Sequence, residues 1–329
     1  VGSTSTVQED GLNTTGFASK LEFEKTRGNV RFSLRHRFAD DKYDKNDLGF
    51  MRNNYFNDIM GSLWYQIFKP TNHFNRMRIR LFAGHFRRYD PYVTTGNYVE
   101  LGFFATNLKQ LSYGGEIGTN IGERVDYFEP RTEGRYWVRN PRQQIQGWMS
   151  TDYRKKLALD FGLEYSQRYD TDEYGYEIEL APLYRANDKL QFVYSFVVDD
   201  SMNQPGYVTT LDDETIIFGV RDNKQMANSL SGKYNFSDKS SLTLSFRHYW
   251  STVAYEDEYY QLTEDGQLDP HPYSEENDLN FNNWNLDLRY VWQFTRGSEL
   301  VALYRNTIES EDERSDLSWG EILSERLDQ

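Results

Sequence analysis

Trp284-Asn285-Leu286-Asp287-Leu288-Arg289-Tyr290-Val291-Trp292-Gln293-Phe294 puts a large apolar side chain at every second position, from Trp284 to Phe294. The positions between hold Asn285, Asp287, Arg289 and Gln293. Successive side chains of a pleated strand point to opposite sides, so one face of this strand favours hydrocarbon and the other favours water. The same two-faced pattern recurs along the chain. Val30, Phe32, Leu34 and Phe38 alternate with Arg31, Ser33, Arg35 and Arg37, and Leu157, Leu159, Phe161, Leu163 and Tyr165 alternate with Ala158, Asp160, Gly162 and Glu164. Leu242, Leu244, Phe246 and Trp250 alternate with Thr243, Ser245 and Arg247. Repeated about fourteen times, this pattern predicts an all-β, transmembrane, antiparallel up-and-down β-barrel.

Hydropathy alone hides that reading. Mean hydropathy is negative, and no apolar run reaches the roughly eighteen residues of a membrane-spanning helix. Barrels escape that test because lipid-facing and lumen-facing residues average out over any window. The 25 Tyr, 21 Phe and 7 Trp exceed what a polar domain of 329 residues needs, and Tyr and Trp favour membrane interfaces. Cysteine is absent, which excludes disulfides, thiolate metal sites and cysteine nucleophiles. A net charge of -14 argues against a nucleic-acid partner, which needs a concentrated basic surface.

Strands are expected near 14–26, 30–39, 56–68, 75–88, 96–108, 111–121, 143–153, 156–169, 174–186, 189–199, 228–236, 240–254, 282–294 and 299–309. Tight turns alternate with longer connections, the longest of them outer loops at 200–227 and 255–281. Short turns on one side and long loops on the other are the build of outer-membrane barrels. Ile216 to Val220 resemble a further strand but would break that alternation, so they are placed inside the outer loop. Both chain ends then lie on the outer side. Residues 1–329 form one barrel domain expected to be incomplete at both ends, the intact barrel having at least about sixteen strands.

Several segments resemble the C-terminal barrel region of Bacteroidota outer-membrane proteins that carry an N-terminal family-9-like carbohydrate-binding domain. They are Asn46-Asp47-Leu48-Gly49-Phe50-Met51-Arg52-Asn53-Asn54, Tyr127-Phe128-Glu129-Pro130-Arg131 with Gly134, and Ser150-Thr151-Asp152-Tyr153-Arg154-Lys155. Leu288 to Phe294 with Gly297-Ser298-Glu299-Leu300 complete the set. The resemblance implies an outer-membrane barrel and supplies no catalytic residue. It carries no sugar recognition over to these residues, because the carbohydrate-binding domain is not among them.

Five histidines limit enzymatic options. His36, His85 and His248 share parity with the lipid-facing residues and read as interfacial side chains. His73, in a turn, and His271, between Pro270 and Pro272, stand beside no evident nucleophile. A general base must lie within hydrogen-bond reach of the group it activates, so no enzyme and no catalytic residue is expected.

The inward-facing charges are the first candidate site. Lys20, Glu22 and Glu24 neighbour Arg31, Arg35 and Arg37, with Arg76, Arg78 and Arg80 following; Asp160, Glu164, Glu177 and Glu179 form an acidic wall, and Arg247, Asp287 and Arg289 lie further round. They are either cross-strand ion pairs that stiffen a polar interior or the source of a transverse field across an aqueous lumen. The second candidate is loop 122–142, where Arg124, Tyr127, Phe128, Arg131, Tyr136 and Trp137 suggest an ordered loop that folds against the barrel mouth or docks a partner. The acidic loop 255–281 could gather divalent cations and bridge lipopolysaccharide phosphates, yet its spacing matches no defined calcium loop, and a solvated face is the plainer account.

The sequence therefore predicts a bacterial outer-membrane barrel without cofactor, metal or catalysis. Its partners would be outer-membrane lipid and lipopolysaccharide, with other envelope proteins as a further possibility. Two functions fit: a channel or uptake component for polar solutes, or a structural or accessory subunit that docks other envelope proteins.

Overall fold

A computed structural model describes residues 1–9, 12–45 and 55–312. The Asn46–Asn54 motif lies outside them. The strands are β1 (Gly2–Glu9), β2 (Leu12–Lys25), β3 (Val30–Ala39), β4 (Phe56–Ile67), β5 (Phe74–Arg88), β6 (Val93–Asn107) and β7 (Ser112–Asn120). There follow β8 (Arg124–Asp126), β9 (Trp137–Arg139), β10 (Arg142–Ser150), β11 (Leu157–Arg168), β12 (Tyr174–Asn187) and β13 (Leu190–Thr210). The last are β14 (Ile216–Ser237), β15 (Ser240–Leu262), β16 (Leu268–Pro270), β17 (Leu279–Thr295) and β18 (Ser298–Asp312). A 16-stranded antiparallel meander runs from β1 to β18; β16 pairs only with β15, and β8 and β9 form a separate hairpin.

The two faces of this sheet differ as the alternation requires. Leu63, Leu81, Leu101, Ile117 and Ile145 stand in register on successive strands, and Leu101 and Ile117 are 51% and 57% exposed. Their chain neighbours on the other face include Arg80, Glu100, Glu116 and Gln146. A second outward row joins Tyr184, Phe192, Gly232, Leu244, Leu288 and Tyr304. Among the described residues no second layer covers these rows; Phe161 and Trp292 remain 36% and 46% exposed. The buried hydrophobic cluster lies elsewhere, where Trp137, Ile216, Phe218 and Leu262 meet.

Three hydrogen bonds mark the outward face. His36, His85 and His248 each bond an asparagine side chain, Asn57, Asn97 and Asn282, at 2.7, 2.6 and 2.8 Å. Each imidazole therefore has a polar partner on a face that is otherwise apolar.

The structure corrects two expectations. First, sixteen strands replace about fourteen. β1 was missed because Gly-Ser-Thr-Ser-Thr-Val-Gln-Glu has almost no apolar alternation. It is fixed by backbone pairing with β2, by the hydrogen bond between the Ser3 and Tyr43 hydroxyls, and by Ser5 Oγ, which accepts from the Asp44 amide. β1 runs back beside β2, so Val1 accepts a hydrogen bond from the Lys20 amide at 2.8 Å.

Second, most of 200–227 and part of 255–281 are strand rather than loop, which leaves connections at 211–215 and, carrying the short β16, at 263–278. β13 continues to Thr210 and β14 begins at Ile216, while β15 continues to Leu262 and β17 begins at Leu279. Ile216 to Val220 therefore belong to a sheet strand. Both hairpins outgrow the band where alternation is visible, and their polar upper parts stay extended because each finds an antiparallel partner.

Among the described residues the sheet does not close into a barrel: β1 pairs only with β2, and β18 only with β17. Without the short β16 the meander has an odd number of strands, so β1 and β18 run in the same direction. A direct bond between them would be parallel, whereas outer-membrane barrels pair their strands antiparallel.

Candidate functional site

The connection between β7 and β10 folds as a hydrogen-bonded loop over a cavity. Asp126 starts it with a local turn, its carboxylate accepting from the amides of Phe128 at 2.8 Å and Glu129 at 3.1 Å. Glu129 then reaches the far hairpin, accepting from the Tyr207 amide at 3.1 Å and lying 3.8 Å from Arg221. Arg135 donates to the carbonyls of Leu262 and Thr263. Val138 donates to the Gly266 carbonyl at 2.8 Å. Gly266 has a φ of +80°, and a Cβ there would fall 2.7 Å from the Tyr136 ring; only glycine takes that conformation at no cost in that space.

The same loop touches the opposite part of the sheet. Arg88 of β5 lies 4.2 Å from the ring centroids of both Tyr55 and Tyr127, and the Arg124 side chain lies over Gly96 of β6. Between β6 and β14 the meander places β7 and β10 to β13. A loop that contacts both ends of that span must cross the concave side, so the sheet curls and the loop caps it.

The cap is fastened by charge. Glu173, between β11 and β12, accepts from Arg139 at 2.9 Å and pairs with Arg168 at 2.8 Å. Burial pushes the Arg139 guanidinium down to about 10 while Glu173 opposes the fall, and it stays charged at neutral pH. Arg124 is also pushed down, by enclosure and by the positive charges of Arg168 and Arg142, against Asp126. Below the cap lies a cavity of about 1170 Å³, reaching Lys20 and Arg37 on one side and Arg142 on the other.

The predicted lumen charges fall on one face and resolve largely into pairs. Glu22 pairs with Lys20 at 2.8 Å and Arg35 at 2.5 Å, Arg37 with Asp58 at 2.7 Å, and Arg80 with Glu100 and Glu116. Arg142 lies 3.5 Å from Glu164, and Asp287 pairs with Arg305 at 2.7 Å. Arg31, Arg76 and Arg78 stand over phenylalanine rings instead, that of Phe68 for Arg31 and that of Phe104 for the other two. Asp160 accepts from Ser150 and Tyr153. Glu164 stands opposite Glu177, which stands opposite Asp199, and Glu179 lies opposite Gly162. Glu24 lies opposite Ser33, Arg247 opposite Asn285 and Arg289 opposite Leu303.

The loop residues come together as an intramolecular cap. Trp137 is 5% exposed, Tyr127 and Tyr136 meet with centroids 5.3 Å apart, and Arg131 lies over Tyr207. Phe128, at 45% exposed, is the aromatic still turned outward. In 255–281, as elsewhere among the described residues, no acidic or histidine group is arranged to hold a metal ion.

Sequence reasoning missed Arg88, Glu129, Glu173 and Phe218. Phe218 lay in the apolar run that signalled a strand and Glu129 in a resemblance motif; Glu173 gave no signal.

No curated protein and no solved structure matches the chain. One family model does, over residues 2–329, and the chain belongs to that family, described as Domain of unknown function (DUF5916).

Proposed function

We propose that this chain is a non-enzymatic integral β-barrel region of a bacterial outer membrane, serving as a channel or uptake component for polar solutes. The observation that carries the reading is the unbroken outward row of exposed apolar residues backed by inward charges on a single-layered sheet. In water that face would be an apolar patch far beyond the few hundred Å² that soluble monomers expose; against acyl chains it is the ordinary surface of a barrel. An origin in Bacteroidota and a carbohydrate-binding domain in the intact protein are part of the same proposal. They rest on the resemblance.

Planar-bilayer recording on purified protein tests it. Stable conductance whose selectivity shifts toward cations when Arg31 and Arg78 are neutralised is the expected outcome. Silence in bilayers into which the protein has inserted would sink the channel. The open edges at β1 and β18 favour a second reading, a structural subunit that docks envelope proteins through strand pairing. That reading predicts a silent barrel that co-purifies with partners.

A further inference from the structure

We infer that the cavity beneath the β7–β10 cap binds a compact polar solute carrying two or more phosphate, sulfate or carboxylate groups. The inference rests on the channel reading and names its solute class. Eight Lys and Arg residues line the cavity against Asp58 and Asp126 alone, in a chain whose net charge is -14. A concave, one-signed lining focuses its field and concentrates counter-ions of opposite charge.

Four of the eight have carboxylate partners, Lys20 with Glu22, Arg37 with Asp58, Arg139 with Glu173 and Arg142 with Glu164, and Arg87 donates to Asn57 and Tyr92. Arg88 and Arg124 have no carboxylate within ion-pair distance among the described residues. Arg88 is nonetheless fixed: its Nε donates to the Asp90 carbonyl at 2.8 Å, and the Tyr55 and Tyr127 rings hold the guanidinium. Rings stabilise the cation without occupying its in-plane N–H groups, so among the described residues both terminal nitrogens are left to donate. A planar, pre-oriented guanidinium with vacant donors is suited to bidentate capture of an oxyanion.

Arg124 stands across the cavity mouth on the cap itself, above Gly96. Enclosure and, after it, the positive charges of Arg168 and Arg142 disfavour its cation, and an incoming anion would relieve that repulsion. An uncharged solute would leave both guanidiniums as they are. The two arginines sit on different elements, β5 and the cap, so one anionic group for each is the geometry that uses both.

The test is calorimetric titration of the full chain in neutral detergent with sucrose octasulfate, with sucrose as the uncharged control. Saturable binding of one probe per chain is expected, with none for sucrose. Arg88→Gln and Arg124→Gln should each weaken it by about tenfold, the loss of one strong charge-assisted contact. Arg27→Gln, in the β2–β3 turn, should leave it unchanged. Raising salt from about 0.05 to about 0.5 M should weaken binding to the unsubstituted protein as well, which keeps the test independent of how the variants fold. Absent saturation, equal binding of sucrose, salt-insensitive binding, or indifference to both glutamines would overturn the site. Conductance is recorded separately on the same preparation. A silent bilayer with saturable titration fails the channel and keeps the site, and a conducting protein that ignores the probe does the reverse.

Discussion

Trp137 meets Phe218 edge to face with ring centroids 5.1 Å apart, joining the β8–β9 hairpin to a strand on the far side of the curled sheet. Ile216 and Leu262 complete the cluster, and Phe218 is fully buried. Removing the indole should cost about 3–5 kcal/mol, the range for truncating a buried aromatic side chain. Trp137→Ala is expected to free the cap, seen as faster tryptic cleavage after Arg131 and Arg135 with the β-sheet signal retained. Trp137→Phe should stay close to the parent. An alanine variant cleaved no faster would mean that the cap is held elsewhere.

Glu173 supplies the second fastening by answering two guanidiniums, those of Arg139 and Arg168. Arg168 is 5% exposed. Breaking a buried pair by removing one partner is costly, about 3–5 kcal/mol, because the remaining charge stays desolvated. Glu173→Gln should therefore destabilise strongly in detergent melts, and adding Arg139→Gln should recover part of the loss. A double variant worse than the single would refute the account.

Much of the sheet was legible because a strand with one apolar and one polar face must alternate. β3 and β12 fall within a residue or so of their expected limits, since Phe32-Ser33-Leu34-Arg35 and its counterparts leave no other register. β1 and the upper parts of β13 to β15 were not legible. They stay extended through backbone pairing and cap contacts, and backbone hydrogen bonds leave no mark on residue type. The cap was legible as an aromatic and arginine-rich loop, but not its targets. Glu173 and Arg88 act through partners far away in sequence, and nothing local to either announces that distance.

Gly266 gives a local test of how tightly the cap sits. Its φ of +80° and the Tyr136 ring 2.7 Å from a built Cβ mean that Gly266→Ala meets both backbone strain and a clash. A cost of about 1–3 kcal/mol is expected for holding a non-glycine residue there. Tyr136→Ala in the same background removes the clash and keeps the strain, so it should restore only part of the loss. Thermal melts of the parent, the single and the double variant measure the partition. Full restoration would show that the backbone conformation was not the constraint.

The decisive contrast concerns Leu101, half-exposed in the outward row between Leu81 and Ile117. On a soluble sheet, Leu101→Arg replaces exposed hydrocarbon with a solvated charge, and the protein becomes no less stable and more soluble. On a lipid-facing wall the same change drags a guanidinium into the apolar band, at about 2–4 kcal/mol near the midplane. The inward-facing substitution Gly162→Ser adds a polar group whose Cβ meets the Glu179 side chain only at ordinary contact distance and should be nearly neutral. Measured as folding into liposomes, Leu101→Arg should insert poorly and Gly162→Ser normally. Equal insertion of both would mean that the two faces do not meet different solvents, and the membrane assignment would fall with its channel.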